Sequence, residues 1–84
     1  MGNVLTLANI PAGEKCVLIE IKGGRGLINR LDAMGVRAGS EITKVTAQWM
    51  KGPDILRHGN TDVAIGFGMA QKILVKSYND GDNV

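Results

Sequence analysis

The length, composition and charge of this chain exclude several classes of protein. Its 84 residues correspond to one domain, and a chain this short buries only about 60% of its unfolded surface, which leaves little room for a large active-site cleft. Ten basic and eight acidic residues give a net charge of +2, well short of the basic bias of a dedicated nucleic-acid-binding domain. A hydrophobic content of 44% and a charged content of 21% are typical of a folded globular protein.

The cysteine content and the N-terminus predict a location. Cys16 is the only cysteine, so no intrachain disulfide can form, whereas small secreted domains usually depend on such bonds. The sequence shows neither the charged and apolar regions of a signal peptide nor an uninterrupted apolar stretch of about 18 residues. We therefore expect a protein of the reducing cytoplasm, without a leader or a membrane-spanning helix.

The first predicted elements are a short edge segment and a strand. Residues 7–13 read as an edge segment that runs into a turn at Pro11, because proline lacks the amide that a ladder requires. Residues 15–22 predict a strand that ends at Gly23. One face carries Cys16 and Leu18, and the other face carries Val17, Ile19 and Ile21. We expect the second, more aliphatic face to be the buried one.

The spacing of apolar residues predicts a two-turn helix over residues 26–34. The apolar stripe consists of Leu27, Ile28, Leu31 and Met34. Gly35 is expected to end the helix in the left-handed conformation. The stripe has more apolar residues than a short helix buries against so small a domain, so one of them is expected near the surface. One interpretation is that Leu31 and the adjacent Arg30 form a mixed apolar and basic contact point for a partner. The alternative is that Leu31 is an ordinary core residue.

The second half of the chain predicts the rest of a sheet. Residues 41–49 are rich in β-branched side chains and predict a long central strand, with Ile42 facing inward and Val45 as a further candidate. The remaining segments are a turn at 36–39, a turn at 51–54, a hairpin of strands 55–58 and 63–65 around 59–61, one helical turn within 66–71, and a strand at 73–76.

This order of elements indicates an all-β fold. About five strands with a short helix inserted after the second point to a small, partly open barrel. Residues 1–78 are expected to form this single domain. Residues 79–84 are polar and acidic, and we expect them to fray as a flexible tail.

Candidate chemistry in the sequence is sparse. No phosphate-binding Gly-x-x-x-x-Gly-Lys-Ser/Thr loop is present. Cys16 and His58 are potential metal ligands, but a specific site needs three or four convergent ligands. We therefore expect Cys16 to be a small hydrophobe in a strand and His58 to be a solvent-facing strand or turn residue. Asp32, Asp54 and Asp62 are expected to be turn or helix-surface residues. The sequence therefore favours a protein that is not an enzyme and has no cofactor or metal site.

The basic residues suggest a partner surface. They are scattered over the predicted helix and turns, at Arg25, Arg30, Arg37, Lys51 and Arg57. A plain solvated surface is one interpretation, and a surface for an acidic protein or a phospholipid-proximal partner is the other. Trp49 and Met50 are an adjacent apolar anchor of the type enriched in interfaces. The predicted partner interface comprises Arg30, Leu31, Met34, Arg37, Trp49, Met50 and Lys51.

A family resemblance covers residues 4–76. Residues 30–40 read Arg-Leu-x-x-Met-Gly-x-x-Ala-Gly-Ser, similar to the Arg-Leu-x-x-Leu/Met-Gly-x-x-Pro-Gly-Ser/Thr core of the FeoA family of ferrous iron transport accessory proteins, with Ala38 in place of the usual proline. The flanking matches are Leu7-x-x-Ile10-x-x-Gly13, Lys51-Gly52-Pro53, Val63-Ala64-Ile65-Gly66 and Met69-Ala70-x-x-Ile73-Leu74-Val75. In combination, the order and spacing of these motifs make the resemblance fairly specific.

The resemblance implies a fold and a partner. It implies an SH3-like barrel in the bacterial cytoplasm that binds the cytoplasmic part of the membrane iron transporter FeoB and modulates its assembly or activity. A similar module ends the DtxR-type repressors, so a metal-responsive regulatory domain is the alternative, and a nucleic-acid adaptor is a third, disfavoured class. Contact with the membrane would then be only through the partner. Homo-oligomers are also possible, because sheet edges and apolar patches serve either kind of partner.

Overall fold

The computed structural model describes residues 4–45 and 53–78, which form a single antiparallel sheet with two short helices. The strands are β1 (Val4–Thr6), β2 (Lys15–Ile21), β3 (Glu41–Lys44), β4 (Asp54–His58), β5 (Thr61–Ile65) and β6 (Ile73–Ser77). The helices are α1 (Arg25–Ala33) and α2 (Phe67–Ala70). Neither of these two helices is long and apolar enough to cross a membrane.

The strand order places the first strand beside the last. The sheet has the order β1-β6-β2-β3-β4-β5, and the Cα of Val4 lies opposite that of Lys76. Among the described residues, β1 and β5 are the two edges and do not pair with each other. The predicted all-β, partly open barrel is confirmed, with six strands where about five were expected, because β1 is an additional short edge strand.

The core lies on one side of the curved sheet and under α1. Its fully or almost fully buried apolar residues include Leu7, Ile10, Cys16, Leu18, Leu31, Val36, Ile42, Leu56, Ile65, Ala70, Ile73 and Val75. They come from both helices, from the sheet and from the connection between β1 and β2. The inward orientation predicted for Ile42 is confirmed, whereas Val45 is only half-buried.

The buried and the exposed face of β2 are the reverse of those predicted. Cys16 and Leu18 have almost no exposed surface, whereas Ile19 is 39% exposed. The pairing with β6 shifts register between Leu18 and Glu20, which marks a β-bulge. Because a bulge inserts one extra residue into the strand, the alternation that starts at Cys16 cannot be extended through the end of β2.

The segment after β1 is a 3₁₀ turn instead of the predicted edge strand. The amide of Ile10 donates to the carbonyl of Leu7 at 3.2 Å, and the Leu7 side chain is fully buried. The strand order explains this difference. Since β1 and β2 flank β6 on opposite sides, the connection has to cross the end of β6 and cannot continue as a strand.

The other local predictions are largely confirmed. Gly35 ends α1 with a φ of +83°, and the amide of Val36 donates to the carbonyl of Leu31 at 2.9 Å, as in a glycine-terminated helix. The predicted hairpin is formed by β4 and β5, followed by the single turn of α2 and by β6. The described part of the predicted central strand ends at Lys44, and the predictions for residues 46–52 and for the tail 79–84 lie outside the described residues.

Candidate functional site: two grooves beside helix α1

Helix α1 packs on the barrel along a narrow stripe. Leu27 and Leu31 point into the core, and Leu31 has no exposed surface. The proposal that Leu31 contacts a partner is therefore wrong, and its alternative as a core residue is correct. Residues one position from this stripe lie about 100° around the helix, so Ile28 and Gly26 fall on opposite flanks. Each flank borders a groove.

The first groove runs between α1 and β2, and we call it the β2 groove. Its volume is about 220 Å³, and its lining residues are Ile19, Glu20, Ile21, Ile28, Asp32, Val36, Arg37 and Ala38. Ile19 and Ile28 are each 39% exposed, although both are aliphatic. Their exposure gives the groove an apolar character at the protein surface.

The rim of the β2 groove carries an ion pair. The Nε of Arg37 lies 3.2 Å from Oδ1 of Asp32, and both side chains are more than half exposed. Exposed pairs of this kind contribute little to stability. At the rim of the β2 groove, the pair instead places charged groups beside an apolar floor. A polar rim around an apolar centre is the general arrangement of a protein-binding surface.

Those predicted interface residues that the structure describes do not lie together at one site. Arg37 lines the β2 groove, and Met34 is 41% exposed just after α1. Arg30 lies on the opposite flank, where one of its terminal guanidinium nitrogens, Nη2, donates to the carbonyl oxygen of Ala64 at 2.7 Å. The other three predicted positions, Trp49, Met50 and Lys51, lie outside the described residues.

Sequence reasoning missed Ile19 and Ile28 as surface residues. Ile19 was assigned to the buried face of its strand, because both faces of β2 carry apolar residues and the alternation alone does not say which face is buried. For Ile28 a signal was available, because Leu27 and Leu31 are spaced i and i+4 and already form a complete inward stripe. An isoleucine directly after Leu27 lies off that stripe and therefore on a flank.

A buried ion pair lies away from both grooves. The Nζ of Lys44 is 3.5 Å from Oδ1 of Asp54, and both side chains are almost completely buried. The same Nζ donates to the carbonyls of Leu7 and Ala8 at 3.1 and 3.2 Å. Asp54, predicted to be a turn residue, is instead the first residue of β4. These contacts fasten the crossing segment to the sheet, so the pair is structural.

Cys16 and His58 have separate structural roles. Burial raises the pKa of the Cys16 thiol to about 11, with a further contribution from the nearby Glu14 carboxylate. The thiol is therefore neutral at ordinary pH and behaves as the small hydrophobe predicted. The Nδ1 of His58 lies 3.1 Å from the carbonyl oxygen of Glu41, and the ring is half-buried instead of fully solvent-facing. Within residues 4–45 and 53–78, no three His, Cys, Asp or Glu side chains form a group that could hold a metal ion.

Comparison with known proteins gives a consistent result. The FeoA domain model matches residues 5–77. A Methanocaldococcus jannaschii protein provisionally named Fe(2+) transport protein A is 35% identical over 75 residues, which are 89% of each chain. A crystal structure of the iron uptake regulatory protein FeoA superposes with a TM-score of 0.78 at 29% identity, covering 89% of this chain and 99% of that one.

A repressor shares the fold as well. A manganese-dependent transcriptional repressor superposes with a TM-score of 0.79 at 17% identity, covering 92% of this chain but 43% of the repressor. At that identity the likeness concerns the fold alone. The family model, by contrast, spans nearly all of the sequence, from β1 to the end of β6, and the archaeal relative matches over almost its full length. This small six-stranded protein therefore belongs to the FeoA family.

Proposed function

We propose that this chain is a non-enzymatic accessory protein of ferrous iron uptake that docks on the cytoplasmic part of a FeoB-like membrane transporter and modulates its assembly or activity. Membership of the FeoA family supports a role in iron transport, as does the name of the archaeal relative. In this proposal the protein works in the cytoplasm and reaches the membrane only through its partner.

The β2 groove is the surface that we assign to this docking. The exposure of Ile19 and Ile28 on either side of the groove carries the proposal. Exposed aliphatic side chains that share a concave surface are favourable contact points for a partner, because their removal from water contributes about 25 cal/mol per Å² of apolar surface. Arg37 and Asp32 at the rim would orient the partner through polar contacts.

The chemistry of the described residues supports binding over catalysis. Four described carboxylates lie in ion pairs with basic side chains, namely Asp32 with Arg37, Asp54 with Lys44, Asp62 with Arg57, and Glu41 with Lys15. In the third pair the Arg57 guanidinium lowers the pKa of the Asp62 carboxyl through a direct hydrogen bond. The Asp62 carboxyl, held ionised in this way, is a poor proton donor near neutral pH.

Calorimetry with the cytoplasmic domain of the transporter tests this proposal. We expect saturable binding of the unmodified chain in at least one nucleotide state of that domain. The variants Ile19→Glu and Ile28→Glu place a charge on the apolar floor and are expected to weaken binding about tenfold or more each. Tyr78→Ser is the control, because Tyr78 is 52% exposed and is not among the groove residues.

Two results would contradict the proposal. Absence of binding in the apo, GDP-bound and GTP-bound states would count against docking itself. Equal affinity of the two isoleucine variants and the unmodified chain would show that docking uses a different surface. We expect both variants to remain folded, because both substituted side chains are already partly exposed. Circular dichroism of each variant checks this.

A further inference from the structure

A second groove lies on the other flank of α1, and we call it the glycine groove. Its volume is about 350 Å³, and its lining residues are Gly24, Gly26, Leu27, Arg30 and Met69. It runs between the start of α1 and the single turn of α2. The proposed docking through the β2 groove does not use any of these residues.

The apolar part of the glycine groove is open to solvent. Met69 is 41% exposed, and its neighbour Phe67 is 40% exposed. The Sδ of Met69 lies 3.8 Å from where a Cβ of Gly23 would be, and Cδ2 of Leu27 lies 3.2 Å from the same point. Leu27 and Met69 therefore both lie beside Gly23, with Met69 exposed at the surface and Leu27 largely buried beneath it.

The glycines of this groove are not required by the fold. Gly24 and Gly26 have no positive φ, and a Cβ added to either would meet nothing within 4 Å. Gly26 lies inside α1, where glycine is less favourable than alanine because it loses more conformational freedom. Gly24 is the N-cap of α1, a position where glycine is common. At Gly26 neither the backbone conformation nor internal packing explains the missing side chain, whose effect is to keep the groove open.

The charge around the glycine groove is of one sign. Residues 22–31 and 66–72 contain four basic residues and no acidic residue. The four are Lys22, Arg25, Arg30 and Lys72. The amide of Lys22 donates to the carbonyl of Lys72 at 2.7 Å, so the two segments are adjacent. Arg30 donates to a neutral carbonyl, which leaves its positive charge uncompensated.

The nearest acidic residues along the chain are Glu20, Asp32 and Asp62. Glu20 lines the β2 groove on the other flank of α1. Asp32 follows on α1 but belongs to the β2 groove and pairs with Arg37. Asp62 on β5 accepts two hydrogen bonds from Arg57, at 2.7 and 3.1 Å. The positive charge of Arg25 and Arg30 therefore has no carboxylate partner among the residues that the structure describes.

We propose that the glycine groove binds an acidic and apolar segment of a partner protein. Apolar side chains of that segment would pack mainly on Met69, and its carboxylates would lie against Arg25 and Arg30. Complementary charge favours such a segment over a second copy of this chain, whose own groove is equally basic. Nucleic acid fits the charge but not the lining of the groove, which includes no aromatic side chain among the described residues, whereas single strands bind by stacking on such side chains.

A peptide titration tests this inference with the intact chain. The probe is a synthetic helical peptide with alternating turns of Glu and Leu, and the matched control peptide has Gln at every Glu position. With ¹⁵N-labelled protein, we expect saturable shifts of the Gly24, Gly26 and Met69 amides with the Glu peptide. The Gln peptide should bind at least about tenfold more weakly, and added salt should weaken the Glu peptide in particular.

Variants separate binding from stability. Gly26→Gln adds a side chain in open space and removes a helical glycine, so the protein should be at least as stable while its affinity falls about tenfold. Gly68→Gln is the matched control, because Gly68 is also helical and open but does not line the groove. Arg25→Glu should abolish the preference for the Glu peptide.

Several outcomes would overturn the inference. Equal affinity for the two peptides would remove the role of charge, and unchanged binding by Gly26→Gln would place the peptide elsewhere. Shifts confined to Ile19, Ile28 and their neighbours would assign the peptide to the β2 groove. Concentration-dependent shifts at Gly24 and Gly26 without any peptide would show that a second copy occupies the groove, and tighter binding of a single-stranded oligonucleotide than of the Glu peptide would favour nucleic acid.

Discussion

The guanidinium of Arg30 in α1 is hydrogen-bonded to the carbonyl oxygen of Ala64 in β5, at 2.7 Å and across 34 positions of sequence. Strand β5 is an edge of the sheet among the described residues. A carbonyl that accepts a side chain in this way is not available to a strand from another molecule, and an exposed edge is a common site of unwanted pairing. Arg30 therefore fastens the helix to the barrel and protects part of the edge.

Loss of this contact should destabilise the protein measurably. For Arg30→Gln we expect the free energy of unfolding to fall by about 1 kcal/mol, the usual contribution of one such hydrogen bond. Arg25→Gln is the matched control, with an expected change within about 0.5 kcal/mol, as for a surface substitution away from specific contacts. Urea denaturation followed by circular dichroism measures both, and equal values for the two variants would contradict a structural role of Arg30.

The buried pair of Lys44 and Asp54 predicts strong coupling between two substitutions. Lys44→Met leaves the buried Asp54 carboxylate without its cation and should cost about 3–5 kcal/mol. The double variant Lys44→Met with Asp54→Leu should recover most of that loss, since Oδ2 of Asp54 is buried and has no hydrogen-bond partner among the described residues. Thermal melts of the single and double variants test this. Additive losses would show that the pair is not coupled.

The buried thiol predicts a specific dependence of stability on pH. The pKa of Cys16 is about 11 in the folded protein against an ordinary value of 9.0, so the unfolded chain releases the thiol proton first as pH rises. The contribution of the buried thiol to the free energy of unfolding is therefore fully present below about pH 9 and is lost between about pH 9 and 11. Urea denaturation across this range should show a steeper decline for the unmodified chain than for Cys16→Ala. Parallel curves would contradict the assignment.

The same thiol should resist chemical modification. The thiolate is the reactive form of cysteine, and the Cys16 side chain is both neutral and fully buried. We expect iodoacetamide to label the native protein at neutral pH far more slowly than the urea-unfolded chain. Comparable rates in the two states would show that the strand opens readily around Cys16.

Alanine substitutions at two glycines, one inside α1 and one just after it, should change the free energy of unfolding in opposite directions. Gly35 has a φ of +83°, so Gly35→Ala should lower the free energy of unfolding by about 1 kcal/mol or more. Gly26 has an ordinary helical conformation and open space around it, so Gly26→Ala should raise the free energy of unfolding by about 0.5–1 kcal/mol. Urea denaturation of the two variants gives the sign directly, and a destabilised Gly26→Ala would contradict the packing described here.

The sequence was sufficient for most of the local structure because turns and helix ends leave local signals. The glycine that ends α1 and the hairpin around Gly59 are examples, since each depends on a backbone conformation that few other residues adopt. The class of fold follows from the order of these elements. The 3₁₀ turn at Leu7–Asn9 was not predictable in this way, because it depends on which strands flank β6.

The candidate site was predicted less well because it depends on contacts between distant residues. Ile19 is exposed because Cys16 and Leu18 occupy the buried face of β2, and the choice of face depends on what the sheet packs against. Arg30 acquires its role from Ala64. Lys44 was the least predictable, since lysine is among the residue types that are rarely buried unless paired. Its partner lies ten positions away, and three acceptors compensate its charge.

The adjacency of Val4 and Lys76 on neighbouring strands has a practical consequence for protein engineering. Their Cα atoms lie about 5 Å apart, as in any antiparallel pair, so a short linker from Ser77, the last residue of β6, back to Val4 would join the two strands and keep both of them. New termini could then be opened in the tight turn at Gly59, which lines neither groove. Such a circular permutant would allow a fluorophore or a fusion protein to be attached at that hairpin while the surfaces beside α1 stay free.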